Sequence, residues 1–244
     1  MAIKVLTLNI WRYFDWEKRK EKAINFLKKQ KADIVFLQEV AYDERLKDKW
    51  RHQVEEINEN LHYKNTFYGK IRDMFKWHDK PIDWKMHYGL GILTNYPIIK
   101  KELVILPHIE LDKNFGFLHA KVQTPKGEID VINVHLENRS AGSKAQLHYI
   151  LDWCKSRNIK PIIAGDFNML ITDNMKELAA KDYHISYFIK SYKSFMPAPH
   201  TTTKVPITLD YILAHKDVFE MEDVHRIKTK ISDHFPVTAT IKLK

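Results

Sequence analysis

The chain has 244 residues, 44% of them hydrophobic, which is enough for one large α/β or β-sandwich core, although length alone also allows two domains. Lys and Arg total 40 against 31 Asp and Glu, and the formal charge of +9 suits an anionic partner such as nucleic acid or an acidic membrane surface. No apolar run approaches the ~18 residues of a membrane span, and the single cysteine, Cys154, excludes an internal disulfide and fits a reducing setting.

The opening "MAIKVLTLNIW" goes straight into an alternating pattern and predicts a strand over 3–10. It has no basic segment followed by an apolar stretch and a small-residue cleavage site, so the expectation is a cytoplasmic protein without a signal peptide. Residues 15–31 predict a helix with Asp15 as N-cap and Ala23, Ile24, Phe26 and Leu27 on one face. "DIVFLQEV", 33–40, is nearly all apolar, as a strand covered on both faces should be. A helix is predicted over 43–61, then strands near 64–69, 89–94, 98–106, 115–123 and 128–136. A helix at 142–157 carries Cys154 as a buried small hydrophobe. A strand at 160–165, a short helix at 172–180 and strands at 207–213, 222–228 and 236–243 complete the chain. Two segments read as long loops, 70–88 and 183–206. The first mixes Arg72, Phe75, Lys76, Trp77, Trp84, Lys85 and His87, which suits phosphate contacts and base stacking. The second offers Phe195, His200 and Thr201 to Thr203 near the expected site. No linker, repeat or shift in composition divides the chain, so 1–244 reads as one domain. Its many strands and few long helices suggest two sheets packed face to face with helices outside, although periodicity alone also allows a single mixed sheet.

Polar residues gather where apolar strands stop. Asn9 ends "VLTLN", Glu39 ends "IVFLQE", and His135 ends "IDVINVH" with Asn138 three residues on. Asp166 and Asn168 end "PIIAGDFN", two apart and so on one face of the strand end. Asp210 lies within "ITLDYIL", where a buried carboxylate is costly unless paired. Asp233 and His234 precede "FPVTATI". Each has an ordinary explanation alone, as a cap or a core histidine, but six such sites repeat one pattern.

The set suits phosphodiester cleavage, which needs an attacking water, relief of charge on phosphoryl oxygens and help for the leaving oxygen. A hard cation such as Mg2+ takes carboxylate oxygens and water, often from only one or two protein carboxylates, and Glu39 and Asp233 can supply these. A histidine donates to a phosphoryl oxygen, and a carboxylate behind it fixes its tautomer. Asn donates without adding negative charge. No Cys/His set has zinc spacing, no glycine-rich phosphate loop occurs among seven glycines, and no Gly-x-Ser-x-Gly nucleophile turn is present.

"LTLNIW", "FLQEV", "YGLGILTNYPI", "NVHLEN", "GDFN", "LDYIL" and "SDHFPV" occur in this order from residue 6 to 237. In this the chain resembles the endonuclease/exonuclease/phosphatase superfamily, which includes exonuclease III-type and DNase I-like nucleases and tyrosyl-DNA phosphodiesterases. The resemblance implies a four-layered α/β sandwich, two packed mixed β-sheets flanked by helices. It implies Glu39 as principal metal ligand with Asn9 beside it and Asp233 completing the metal side. Asp166 would orient or deprotonate the attacking water, with Asn168 and Asn138 on the phosphate. His234, backed by Asp210, would stabilise the pentacoordinate phosphoryl group, and His135 matches the histidine of the DNase-like members. Abasic endonucleases usually carry an Asp two residues after the first Asn, and Trp11 stands there. That departure argues against a second metal and against a close abasic-endonuclease identity, while Arg139 and Gln146 after "HLEN" look more like the tyrosyl-DNA phosphodiesterase, deadenylase and small uncharacterised bacterial branches.

The leading expectation is a Mg2+-dependent phosphodiesterase acting on nucleic acid, with Mn2+ able to substitute, monomeric and without stable membrane insertion. Arg72, Trp77 and Trp84 are its candidate substrate-loop residues. One alternative is a phospholipid or sugar-phosphate phosphodiesterase of sphingomyelinase type, its exposed aromatic residues meeting a membrane interface. Another is a non-catalytic binding module on the same fold, against which the intact residue set argues.

Overall fold

The computed structural model describes residues 2–46, 52–77, 80–169, 177–186 and 208–244. In chain order these form β1 (Ala2–Asn9), α1 (Trp16–Gln30), β2 (Ile34–Asp43), α2 (Gln53–Leu61), β3 (Asn65–Trp77), β4 (Lys80–Thr94), β5 (Ile98–Ile105), β6 (Gly116–Thr124) and β7 (Gly127–His135). There follow α3 (Ser140–Ser156), β8 (Ile162–Asp166), β9 (Tyr183–Ile185), β10 (Asp210–His215), β11 (Phe219–Arg226) and β12 (Val237–Leu243). Two six-stranded sheets result, ordered β11-β12-β1-β2-β4-β3 and β5-β6-β7-β8-β10-β9. Each is mixed: β1–β2 and β7–β8 run parallel, and their other neighbours are antiparallel.

The two sheets close on a dry inner layer that includes Val5, Phe36, Ile92, Leu118, Val131, Ile162, Ile212 and Ala239. On the outer face of the first sheet, Ala23 and Leu27 of α1 and Val54 and Ile57 of α2 pack over Leu6, Leu8 and Val35. On the second, Leu147, Ile150, Trp153 and Cys154 of α3 pack over Phe117, Ile132 and Ile163. The predicted four-layered sandwich is therefore the observed fold, and Cys154 is the buried hydrophobe the sequence suggests. Burial pushes its thiol up to about 12.

A buried polar bridge crosses this layer. Gln38 of β2 donates to Asn133 Oδ1 of β7 at 2.7 Å, and Asn133 Nδ2 donates to the Leu37 and Gly91 carbonyls at 2.9 and 2.8 Å. Gln38 also shares hydrogen bonds with Thr7. All three side chains are fully buried, so these bonds fix the sheets' relative position at some cost in apolar burial.

Several local expectations need correction. Residues 70–88 are not a loop: they pair as the long β3–β4 hairpin as far as Trp77↔Lys80, with irregularities between Lys70 and Arg72 and between Met74 and Lys76. Phe75 in its distal part is 77% exposed, so little of this ribbon faces a core and its sequence lacks a strand's clean alternation. Residues 41–43 belong to β2 and 44–46 form a 3-10 turn, so the helix expected over 43–61 is only 53–61 as described. Asp15 stands at the N-cap position of α1, and its carbonyl accepts from the Lys18 backbone N–H at 3.0 Å, but its side chain makes no capping hydrogen bond. Its backbone is left-handed (φ 46°), and its carboxylate pairs with Lys18 at 3.1 Å instead. Of 183–206, residues 183–185 form β9, whereas Phe195, His200 and Thr201 to Thr203 lie outside the described residues, as does most of the expected 172–180 helix.

The turn into the "GDFN" stretch depends on one glycine. Gly165 has φ 151°, and a Cβ there would stand 2.0 Å from the Val134 carbonyl oxygen of the neighbouring strand. Gly165→Ala should therefore destabilise the fold by about 3 kcal/mol or more, from backbone strain plus forced separation of β7 and β8. Urea unfolding with an unchanged midpoint would refute this account.

Candidate active site

The parallel pairs put the ends of β1, β2, β7 and β8 at one end of the sandwich. His135, Asp166 and Asp210 stand in one register row, His135↔Asp166 across β7–β8 and Asp166↔Asp210 across β8–β10. Asn9 ends β1 opposite Gln38, with Glu39 one residue on. The turn carrying Asp233 and His234 is tied beneath Asn9 by Ser232, whose hydroxyl donates to the Asn9 carbonyl at 2.6 Å.

Asp166 is the hub. Its Oδ2 accepts from Asn9 Nδ2 at 3.1 Å and lies 3.7 Å from His135 Nε2 and 3.8 Å from His234 Nε2. Its Oδ1 accepts from the Asn168 backbone N–H at 2.9 Å. His234 Nδ1 pairs with Asp210 Oδ2 at 2.9 Å. Asn168 has a left-handed backbone (φ 49°), tolerated better by Asn than by most residues, and one of its amide hydrogens goes to the Leu136 carbonyl at 2.8 Å.

Glu39 sits at an irregularity in the β2–β4 pairing between Leu37 and Val40, with φ 53°. Such bulges re-aim a side chain at the end of a strand. Arg12 Nε donates to its Oε2 at 2.8 Å. Burial works against Glu39's charge, but Arg12, His135 and His234 outweigh it and hold the carboxyl below its ordinary value. Burial, helped by Glu39, pushes Asp233 up to about 6, although His234 opposes this. The two histidines diverge. Burial lowers His135, despite Asp166 and Glu39. For His234 burial also opposes the charge, but Asp210 and Asp166 prevail and raise it well above the ordinary value. The surroundings thus favour the imidazolium form of His234 and the neutral form of His135.

These residues surround a cavity of about 200 Å³ lined by Arg12, Glu39, Arg72, His135, Asn138, Asp166, Asn168 and His234, with Leu111, Lys113, Phe115 and Leu209 completing the wall. Asn138 is an exposed rim residue. Arg72, from the β3–β4 hairpin, lines the wall. Trp84 does not line the cavity. Its ring lies under Arg45, whose guanidinium carbon is 3.9 Å from the ring centre, because alternation along β4 turns it toward the 3-10 turn. The Trp77 side chain lies outside the described residues.

The sequence model of the endonuclease/exonuclease/phosphatase family matches residues 6–234. The chain belongs to that family. Its fold is shared with the family member from Bacteroides vulgatus (TM-score 0.80, 16% identity, all of both chains covered). It is also shared with the catalytic domain of human Nocturnin (0.73, 17%, covering 100% of this chain and 95% of that one). A humanized D. rerio TDP2 carrying 14 mutations is similar as well (0.74, 16%, 99% of each chain). A search of curated proteins finds no match. Members of this family are generally metal-dependent hydrolases of phosphoester bonds. No helix among the described residues is long and apolar enough to cross a membrane.

The donor set fits a hard cation. Glu39 and Asp233 offer carboxylate oxygens, and Glu39 raises the cost of ionising Asp233, a repulsion that a cation relieves. Asp166, Asp210 and His234 also have ligand atoms within 4.8 Å of one another, so this buried trio, read from the sequence as catalytic, could hold a metal as well.

Sequence reasoning missed several wall residues. Arg12 follows the "LNIW" stretch directly, three residues after Asn9, and that placement was a usable signal. Tyr88, in the "YGLGIL" stretch, does not line the cavity but stacks against Arg72, and its buried hydroxyl has no hydrogen-bond partner among the described residues. Lys113 and Phe115 come from an irregular segment before β6 that carries no motif.

Proposed function

We propose that the protein is a Mg2+-dependent phosphodiesterase acting on nucleic acid. The observation that carries this reading is the Asp166 carboxylate held by Asn9 and Asn168 between His135 and His234, in the wall of a cavity that Arg12, Arg72 and Lys113 also line. Asp166 orients a water and takes its proton. His234, charged and braced by Asp210, donates to the phosphoryl group as its charge grows. His135, Asn138 and the free amide hydrogen of Asn168 bind phosphate oxygens. Glu39, Asp233 and Asn9 hold the metal, which when bound supplies positive charge to the phosphoryl oxygens. Asn9's oxygen already accepts from the Trp11 backbone N–H at 3.0 Å, so it has one lone pair to offer. The charge of +9 and the arginines on the wall favour a polyanion over a neutral headgroup.

The test is cleavage of single-stranded, duplex, abasic and 5′-tyrosyl DNA and of RNA, with and without Mg2+, and a sphingomyelin vesicle as control. Hydrolysis of at least one nucleic acid, lost in EDTA and restored by Mg2+ or Mn2+, is the expected result. Full activity in excess EDTA, or cleavage of the lipid alone, would overturn it. Glu39→Gln should lower the melting temperature, because the carboxylate that Arg12 holds ionised is lost, and should shift Mg2+ activation to higher concentration, because a neutral amide is the weaker ligand for a hard cation. An unchanged metal titration would remove Glu39 from the metal site.

A further inference from the structure

Besides His135 and His234, three basic side chains among the described residues line the cavity: Arg12, Arg72 and Lys113. Arg12 is matched by Glu39. Arg72 has no carboxylate within ion-pair distance among the described residues. Its guanidinium carbon instead lies 4.3 Å from the Tyr88 ring centre and 5.2 Å from that of Phe115. Its Nη1 is buried and has no hydrogen-bond partner among the described residues. Desolvation lowers its pKa, so the protein bears a cost in keeping it charged there. Aromatic faces repay part of that cost, and an anion would repay more.

The location of Arg72 indicates which anion. Tyr88 and Phe115 are also the rings beside His135, at 6.1 and 6.2 Å between centres. Arg72 therefore shares both aromatic neighbours with a histidine of the reacting end. A phosphate held by His135, Asn168 and His234 would leave Arg72 unused, within reach of whatever is joined to that phosphate. A guanidinium with an unfilled N–H fork suits a phosphate dianion, and exposed Lys113 adds charge on the same wall.

We propose that Arg72, assisted by Lys113, forms a second phosphate subsite, so that the preferred substrate is a chain end whose terminal phosphate adjoins the phosphodiester being cut. This inference rests on the phosphodiesterase reading above. A cavity of about 200 Å³ suits a single-stranded end better than continuous duplex.

The test uses thymidine dinucleotides with a 5′-phosphate, with a 3′-phosphate and with neither. With Mg2+, one phosphorylated form should be cut with kcat/KM about tenfold above the unphosphorylated form, the worth of one charge-assisted hydrogen bond. Arg72→Gln should bring that ratio near one, and Lys113→Gln, on the exposed rim where folding is not at risk, should lower it by about half. Equilibrium binding of the same dinucleotides by calorimetry in EDTA should show the same preference and the same loss in Arg72→Gln. If neither the dinucleotides nor any of the longer nucleic acids above is cut, yet the binding preference holds, the phosphodiesterase reading fails and the subsite stands. If cleavage proceeds with no preference for a terminal phosphate, or with a preference that survives Arg72→Gln, the subsite is refuted and the phosphodiesterase reading stands.

Discussion

Asp166→Asn should lower single-turnover cleavage by about 10³-fold or more while leaving the protein as stable as before, or more so. The rate loss follows from removal of the carboxylate that lies 3.7 Å from His135 and 3.8 Å from His234, because a positioned base contributes roughly 10²–10⁴-fold. The amide keeps the shape of the side chain and can still accept from the Asn168 N–H. The stability expectation comes from the carboxyl itself. Burial raises its pKa, and Asp210, its register partner, adds to this, although His234 and His135 oppose them. A carboxyl raised on folding favours its protonated form in the folded state. Above its ordinary range the ionised group therefore costs stability, and a neutral amide relieves that cost. An active residue kept at the expense of stability is the expected trade-off at such a site. Melting temperature and single-turnover rate on the same preparation decide the matter. A variant that melts early and cleaves normally would mean that "GDFN" serves only to shape the start of the next segment.

The sequence shows the sandwich clearly because its inner strands are buried on both faces. "VFLQEV" and "PIIAGD" read as near-continuous apolar runs, and a polar residue at the end of such a run is conspicuous. Glu39, His135 and Asp166 were legible for that reason, and Asp210 because a carboxylate inside an apolar run is costly unless paired. The hairpin of β3 and β4 was not, because its distal half packs on little and its pairing rests on backbone hydrogen bonds that leave no side-chain pattern. The convergence of sites was half legible. Strand ends can be counted along the chain, but which of them meet depends on sheet order. That order places Asp210 opposite Asp166 although 44 residues separate them. Arg12 and Arg72 show the remaining limit. A cation among 40 Lys and Arg carries no mark of its own until the fold places one against Glu39 and the other against Tyr88 and Phe115. The Gln38–Asn133 bridge is similar, since each residue alone looks like an isolated polar position in a strand.

His234→Ala and Asp210→Asn should each lower turnover by about 10³-fold, and the double variant should be little worse than the worse single one. The reason is that the two act as one unit. Asp210 holds the imidazolium by its Nδ1–H at 2.9 Å and leaves Nε2 facing the reacting side, 3.8 Å from Asp166. Removing either partner takes away the oriented charge, so the second removal has little left to cost. The pH profile distinguishes this from two independent structural roles. Burial opposes charge on His234, but Asp210 and Asp166 raise its pKa well above the ordinary value. Activity that needs the imidazolium should therefore persist above the usual histidine range and fall only as pH rises through the raised value. The stability linked to this protonation has the same sign: fully present below the unfolded pKa of about 6.5, and lost as pH rises through the folded one. In Asp210→Asn the main group sustaining that charge is gone, so the residual activity should have its alkaline limb moved to lower pH. His234→Ala should have no such limb from this group, and its stability should depend less on pH across the same interval. Two losses that multiply, with alkaline limbs unmoved in Asp210→Asn, would show that the pair does not work as a dyad and that Asp210 only fills its buried place opposite Asp166.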